Sequence, residues 1–238
     1  NTINAMPEYL ENITAFVSEE VGIAFTQADD LFDATQNVDG FVRVSAAIKT
    51  AAVNLSKMSN DLRLLSSGPK AGIGEINLPA KQNGSSIMPG KVNPVIPEVV
   101  SQVAFRVIGN DLTITMAAES GQLELNAFEP IIFHSLFESI DCLTHAVATL
   151  TANCITGIQA NEMICYKQVE ESAGIATALC PTIGYQKASA IAKESLETGK
   201  TVRELVLEKG LLTIAETDSI LDLKHMAGIP AAMWLRDK

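Results

Sequence analysis

Aromatic side chains are scarce in this chain: 8 Phe, 3 Tyr and a single Trp make up 5% of the residues. With Ala, Leu, Ile, Val and Glu dominating, that composition suits helices. Basic side chains are outnumbered 17 to 28 by acidic ones, a formal charge of −11. No basic stripe exists to replace the counterions of a phosphate backbone, so nucleic-acid binding is not expected. An anionic ligand would need a local reversal of sign. No apolar run reaches the roughly eighteen residues of a membrane span, so no membrane partner is expected either. Of four cysteines, Cys142, Cys154, Cys165 and Cys180, no two stand in a Cys-x-x-Cys pair, and His134, His145 and His225 fall near none of the ligand spacings zinc uses. Cys142 lies in an apolar helical run and reads as a reduced core thiol. Residues Asn1–Asn12 lack the basic start and apolar stretch of a signal peptide, and the first residue is not Met. The expectation is a fragment of a soluble cytoplasmic protein.

What is present is long, apolar and periodic. The 238 residues are 47% apolar, enough to bury a core in one or two domains. Pro7 opens a helix to about Val21, with Tyr9, Leu10, Ile13, Phe16 and Val17 on one face and Gly22 ending it. A second helical stretch starts near Ala28. From Val38 to Leu65, the apolar residues Phe41, Val44, Ile48, Ala51, Ala52, Leu55, Met58, Leu62 and Leu65 recur at three and four. That predicts a bundle helix about 40 Å long, at ~1.5 Å per residue. Ser66 to Pro69 stops it, and 70–82 reads as a connector with turns. The next helix starts between Pro94 and Pro97, carries Val99, Val103, Val107, Ile108, Ile114 and Met116, and fades at Gly121. Pro130 opens another, with Ile132, Leu136, Ile140, Leu143, Val147 and Leu150, to about Ile158. Three such helices cannot bury all their apolar surface in one small chain, so bundle packing and subunit association are expected.

Beyond Gly157 the predicted helices shorten to Asn161–Ser172, Pro181–Thr198, Thr201–Lys209 and Thr213–Leu221. Capping boxes are legible at Thr201/Glu204 and Thr213/Glu216, with Gly210 between them. With this acidic balance the pair reads as a packing hairpin, not a DNA reader. The fold class is all-α: a long-helix bundle over 1–156 and a small helical domain over 157–238.

The stretch richest in chemistry is Gly84–Pro94, GSSIMPGKVNP. Glycines let a backbone approach a ligand closely. Ser85 and Ser86 offer hydroxyls and successive N–H groups for carboxylate oxygens. Lys91 and Asn93, two apart in a non-helical segment, can address one anion, and Glu98 sits in the first turn of the following helix, where the dipole favours a carboxylate. No Ser/His/Asp arrangement and no phosphate-binding loop are visible.

This eleven-residue run resembles the signature loop of the aspartase/fumarase superfamily. After it, fumarases typically read TQCE, whereas Val95–Glu98, VIPE, is similar to the aspartate ammonia-lyase branch. The runs Asn60–Pro69, Val107–Asp111, Gly121–Asn126 with Glu129 and Pro130, Thr198–Glu204 and Gly210–Thr213 extend the likeness over nearly the whole chain. It corresponds to roughly the second half of a full-length enzyme.

The resemblance implies a central bundle of long helices, a homotetramer, and elimination of ammonia from L-aspartate to give fumarate. It implies Ser85 as the general base and Ser86 as a holder of the charged intermediate. It assigns Lys91 and Asn93 to the substrate's α-carboxylate. Glu98 matches a carboxylate that pairs, in fumarases, with a histidine of another segment, a charge relay. Gly84 and Gly90 bracket the loop as expected hinges. No cofactor is implied; a divalent cation activates some members. The family's remaining substrate-binding segments lie upstream of the matched part, and three subunits build each site, so this polypeptide alone is expected to be inactive. Two alternatives stand beside this reading: a fumarate hydratase or related lyase, and a helical assembly module without catalysis.

Overall fold

The computed structural model describes residues 4–88 and 90–228, which divide into two compact units. Among the described residues, the first comprises 4–72, 78–88 and 90–158, the second 73–77 and 159–228.

In the first unit, α1 (Pro7–Val21) begins with Pro at its first position and ends on Gly22 in the left-handed conformation, as the sequence predicts. None of its residues is buried: the face carrying Tyr9 and Phe16 finds no cover. Asp30 caps α2 (Leu31–Gln36) by accepting from the Phe32 and Asp33 amides. That helix starts a few residues later than the sequence suggests, because the Asp30 cap fixes its first turn.

Three long helices follow: α3 (Asp39–Leu65), α4 (Val95–Glu119) and α5 (Glu129–Asn153). Pro97 falls in the first turn of α4, where its missing N–H has no intrahelical partner to lose. Ser45 and Lys49 meet Asp111 while Arg63 meets Glu98, so α3 and α4 run antiparallel. Arg106 and Asn110 meet Glu138, and Val100 shares a cluster with Ala146, so α5 turns back again. The core runs in layers along this hairpin, from Val38, Ile114, Ile132 and Leu136, through Ala52, Ala104 and Val107, to Val100, Ala146, Leu150 and Cys154. Burial pushes the Cys154 thiol up from its ordinary pKa.

The buried faces differ in part from the apolar stripes. Val44, Met58, Val99, Met116, Ile140 and Val147 belong to the predicted stripes yet are exposed. Ser45, Ser56, Ser59, Ser101, Asn110, Asp111, Ser135 and Ser139 line the seams instead. Small and polar side chains allow close helix approach, and several of them pair across it: Asp111 accepts from Ser45 Oγ at 2.8 Å and Lys49 Nζ at 2.5 Å. Asn110 Nδ2 donates to Glu138 at 2.7 Å, which with Arg106 holds that carboxyl below its usual range. α5 ends at Asn153, short of the predicted Ile158, and a 3₁₀ turn at Ile155–Gly157 follows. A side chain at Gly157 would stand 2.5 Å from Pro79 Cγ.

In the second unit, β1 (Ile76–Asn77) pairs antiparallel with β2 (Gln159–Ala160), a two-strand contact that the reading of 70–82 as turns does not contain. Asn161 Nδ2 donates to Gly74 O at 2.6 Å and Gln168 Nε2 to Ile73 O at 2.8 Å, fastening 73–77 to α6 (Glu162–Glu170). The predicted helix Pro181–Thr198 is two helices, α7 (Cys180–Ile183) and α8 (Tyr185–Thr198), preceded by a 3₁₀ run at Ala173–Leu179. Gly184, at φ +83°, breaks it, a conformation closed to most side chains. α9 (Val202–Glu208) and α10 (Ile214–Ile220) both start in complete capping boxes, and α11 (Leu223–Met226) follows. Leu179, Ile191, Val202, Leu205 and Val206 form this unit's core.

Candidate functional site

The Gly84–Pro94 loop enters α4 directly, so its geometry is set where the loop leaves the bundle. Pro89 lies outside the described residues. The loop closes on itself at its neck: the Gly84 N–H donates to the Lys91 carbonyl at 2.8 Å, and Asn93 Nδ2 donates to the Gly84 carbonyl at 3.2 Å. Inside this ring the Lys91 N–H donates to Met88 O at 3.2 Å.

Ser85 is half-buried, and its Oγ accepts from the backbone N–H groups of Ile87 at 3.1 Å and Met88 at 3.0 Å. Two N–H dipoles therefore point their positive ends at one oxygen, the arrangement that favours negative charge there. Ser86 is exposed, as are the apolar residues of the tip, Ile87 at 86% and Met88 at 52%. Ser85, Gly90 and Lys91 open on one concavity of about 490 Å³, shared with Lys81, Gln82 and Asn83.

The structure thus brings Ser85 and Lys91 together on one surface. Asn93 stands at the neck, where its amide braces the loop. Glu98, in the first turn of α4, has Arg63 Nη2 at 4.0 Å from its carboxylate. Of the two glycines expected as hinges, Gly90 has φ +79° with open space around it, while Gly84 is closely surrounded. Lys81, Gln82 and Asn83 were not singled out in the sequence; the signal available was a cation and two amides directly preceding the signature run. Among the described residues no three His, Cys, Asp or Glu side chains converge as metal ligands, and no helix is long and apolar enough to cross a membrane.

Comparison with known proteins bears on both units. A family model described as lyase matches residues 1–109, and one described as fumarase C C-terminus matches residues 175–228. The aspartate ammonia-lyase of Helicobacter pylori is 53% identical over 224 residues, covering 94% of this chain and 48% of that enzyme. Among solved structures, a fumarate lyase:delta crystallin from Brucella melitensis bound to cobalt superposes with a TM-score of 0.88 at 50% identity, over 94% of this chain and 49% of that one. A class II fumarase from Schistosoma mansoni gives 0.83 at 31% identity, over 92% and 49%. These matches define a lyase fold, all-α among the described residues apart from one two-strand pairing and an isolated bridge between Gln122 and Leu125. The chain belongs to the aspartase/fumarase superfamily. It spans about half the length of the curated relatives it matches.

Proposed function

We propose that this chain is the part of an aspartate ammonia-lyase that carries the proton-abstracting serine, and that the complete enzyme converts L-aspartate to fumarate and ammonia. The observation that carries the reading is the Ser85 oxygen with two backbone N–H groups aimed at it. A serine hydroxyl is too weakly acidic to serve as a base in water. Fixed donors at its oxygen, with water excluded, favour the alkoxide.

The alkoxide takes the proton from the aspartate carbon beside the β-carboxylate. The electron pair of that C–H bond moves into the carboxylate, giving an aci-carboxylate, and Ser86 holds the added charge. The pair then returns to form the carbon–carbon double bond as the C–N bond breaks and ammonia leaves. Lys91 and Asn93 anchor the α-carboxylate; Lys91 lines the same concavity as Ser85. Glu98, steadied by Arg63, completes a relay with a histidine outside this chain. Closure of the loop over substrate would bury the exposed Ile87 and Met88 and expel water. A divalent cation, which activates some members of the family, is assigned no step.

The remaining substrate contacts come from the half of the relatives that this chain does not span, and from other copies in a homotetramer. The uncovered apolar face of α1 and the exposed Phe105, Leu112 and Phe137 of the long helices support such association. The chain by itself is inactive in this account.

Identity of about 50% to aspartate ammonia-lyases, against 31% to the class II fumarase, favours ammonia over water as the leaving group. Fumarate absorbance, followed with the complete protein on L-aspartate and on malate, tests the choice. The expected result is fumarate from aspartate and little from malate; faster release from malate would assign a fumarate hydratase instead.

A further inference from the structure

We infer that Gly84 is a positioning residue that clamps Lys91, so that the neck of the loop is held shut by backbone contact and does not act as a hinge. The inference rests on the elimination reading above. Gly84 is gripped from both sides by the residues assigned to the substrate's α-carboxylate: its N–H by the Lys91 carbonyl at 2.8 Å, its carbonyl by the Asn93 amide at 3.2 Å.

The fit leaves no room for a side chain. A Cβ at residue 84 would overlap the Lys91 carbonyl oxygen, lie 2.6 Å from the Lys91 carbonyl carbon and 3.0 Å from Val92 Cα. All three are main-chain atoms, which cannot swing aside as a flexible side chain does. Gly90 is a glycine for a different reason. Its φ of +79° lies in the left-handed region, and nothing stands within 4 Å of the position of its missing Cβ.

The requirement at 84 is therefore steric and the one at 90 conformational. Ser85 is bonded to one jaw of the clamp, and Lys91 is the other jaw. Their separation is set by the ring of backbone that Gly84 closes. A methyl group at 84 pushes the jaws apart and carries the carboxylate anchor away from the base. A displacement of ~1 Å in such a constellation costs about 100-fold in rate.

The test compares Gly84→Ala, Gly90→Ala and Ser85→Ala in the complete enzyme. The clamp predicts that Gly84→Ala loses roughly 100-fold in kcat/KM, with KM for aspartate raised. Inhibition by succinate, a saturated dicarboxylate, should weaken in parallel. Gly90→Ala should lose less than ~10-fold, its cost being only backbone strain. Equal losses at 84 and 90 would mark both as hinges and overturn the clamp, as would a Gly84→Ala enzyme within about twofold of wild type. Amide hydrogen exchange of the unmodified enzyme supplies an arm independent of how any variant folds. The Gly84 amide should be protected with and without succinate, and protection that arises only on binding would also overturn the clamp. Ser85→Ala keeps the two levels apart. Turnover by that variant would remove the proposed chemistry, while succinate binding and exchange at Gly84 would still report on the clamp.

Discussion

Asp111 is 6% exposed, its carboxylate oxygens divided between the Ser45 hydroxyl and the Lys49 ammonium. Asp111→Ala leaves both donors without their acceptor inside the α3–α4 seam. The expected cost is about 2 kcal/mol, discounted because Lys49 is partly solvated; urea unfolding of this chain measures it. Ser59 and Ser101 present the opposite case: both hydroxyls are buried with no hydrogen-bond partner among the described residues. Replacing either by Ala removes an unsatisfied group, so the same titration should find these variants as stable as wild type or slightly more so. Glu138 adds a pH dependence. Its folded pKa is lowered first by Asn110 and then by Arg106, so its contribution is full above the ordinary carboxylate range and lost as pH falls through the lowered value. Glu138→Gln should flatten the acid side of the stability profile, and an unchanged slope would show that the network contributes nothing. None of these partnerships was legible beforehand. Apolar periodicity points to Val44 and Met116, both exposed, and passes over the serines, Asn110 and Asp111 that line the seams.

At the scale of elements, local chemistry was the most readable. Thr201 and Thr213 each accept from the amide three residues on, and Glu204 and Glu216 accept in return from the Thr201 and Thr213 backbones, as the spacing predicts. Those hydrogen bonds, backbone first, hold both carboxyls below their usual range. Thr201→Ala and Thr213→Ala should each cost about 1 kcal/mol near neutral pH. The difference from wild type should shrink as pH falls and the two carboxyls take up protons; thermal melts at neutral and acid pH compare the two conditions. Elements that depend on distant partners were not readable in this way. The pairing of Ile76 with Ala160 joins residues too far apart, in strands too short, to leave a period. Gly184 resembles any tolerated helix glycine until its φ of +83° is seen. Likewise, the motif pointed to Ser85 and Lys91, but not to the Asn93 amide bracing Gly84, which depends on how the loop folds back on itself.

At the scale of the whole molecule, the long helices present more apolar surface than one chain covers. Phe105 and Leu112 of α4 are 63% and 61% exposed, and α1 buries nothing. In the proposed homotetramer such surface lies between copies. Sedimentation of the complete protein should show a tetramer, and Leu112→Glu should shift it toward smaller species; a wild-type monomer would remove this part of the proposal. The serine at the centre of the account is tested most directly by turnover. Ser85→Ala and wild-type forms of the complete protein, matched in Tm, are to be compared for fumarate release from L-aspartate. The account predicts a loss of about 1,000-fold or more, the scale of a positioned general base. Release within a few-fold of wild type would contradict it and return the Ser85 hydroxyl to the role of a turn cap for Ile87 and Met88.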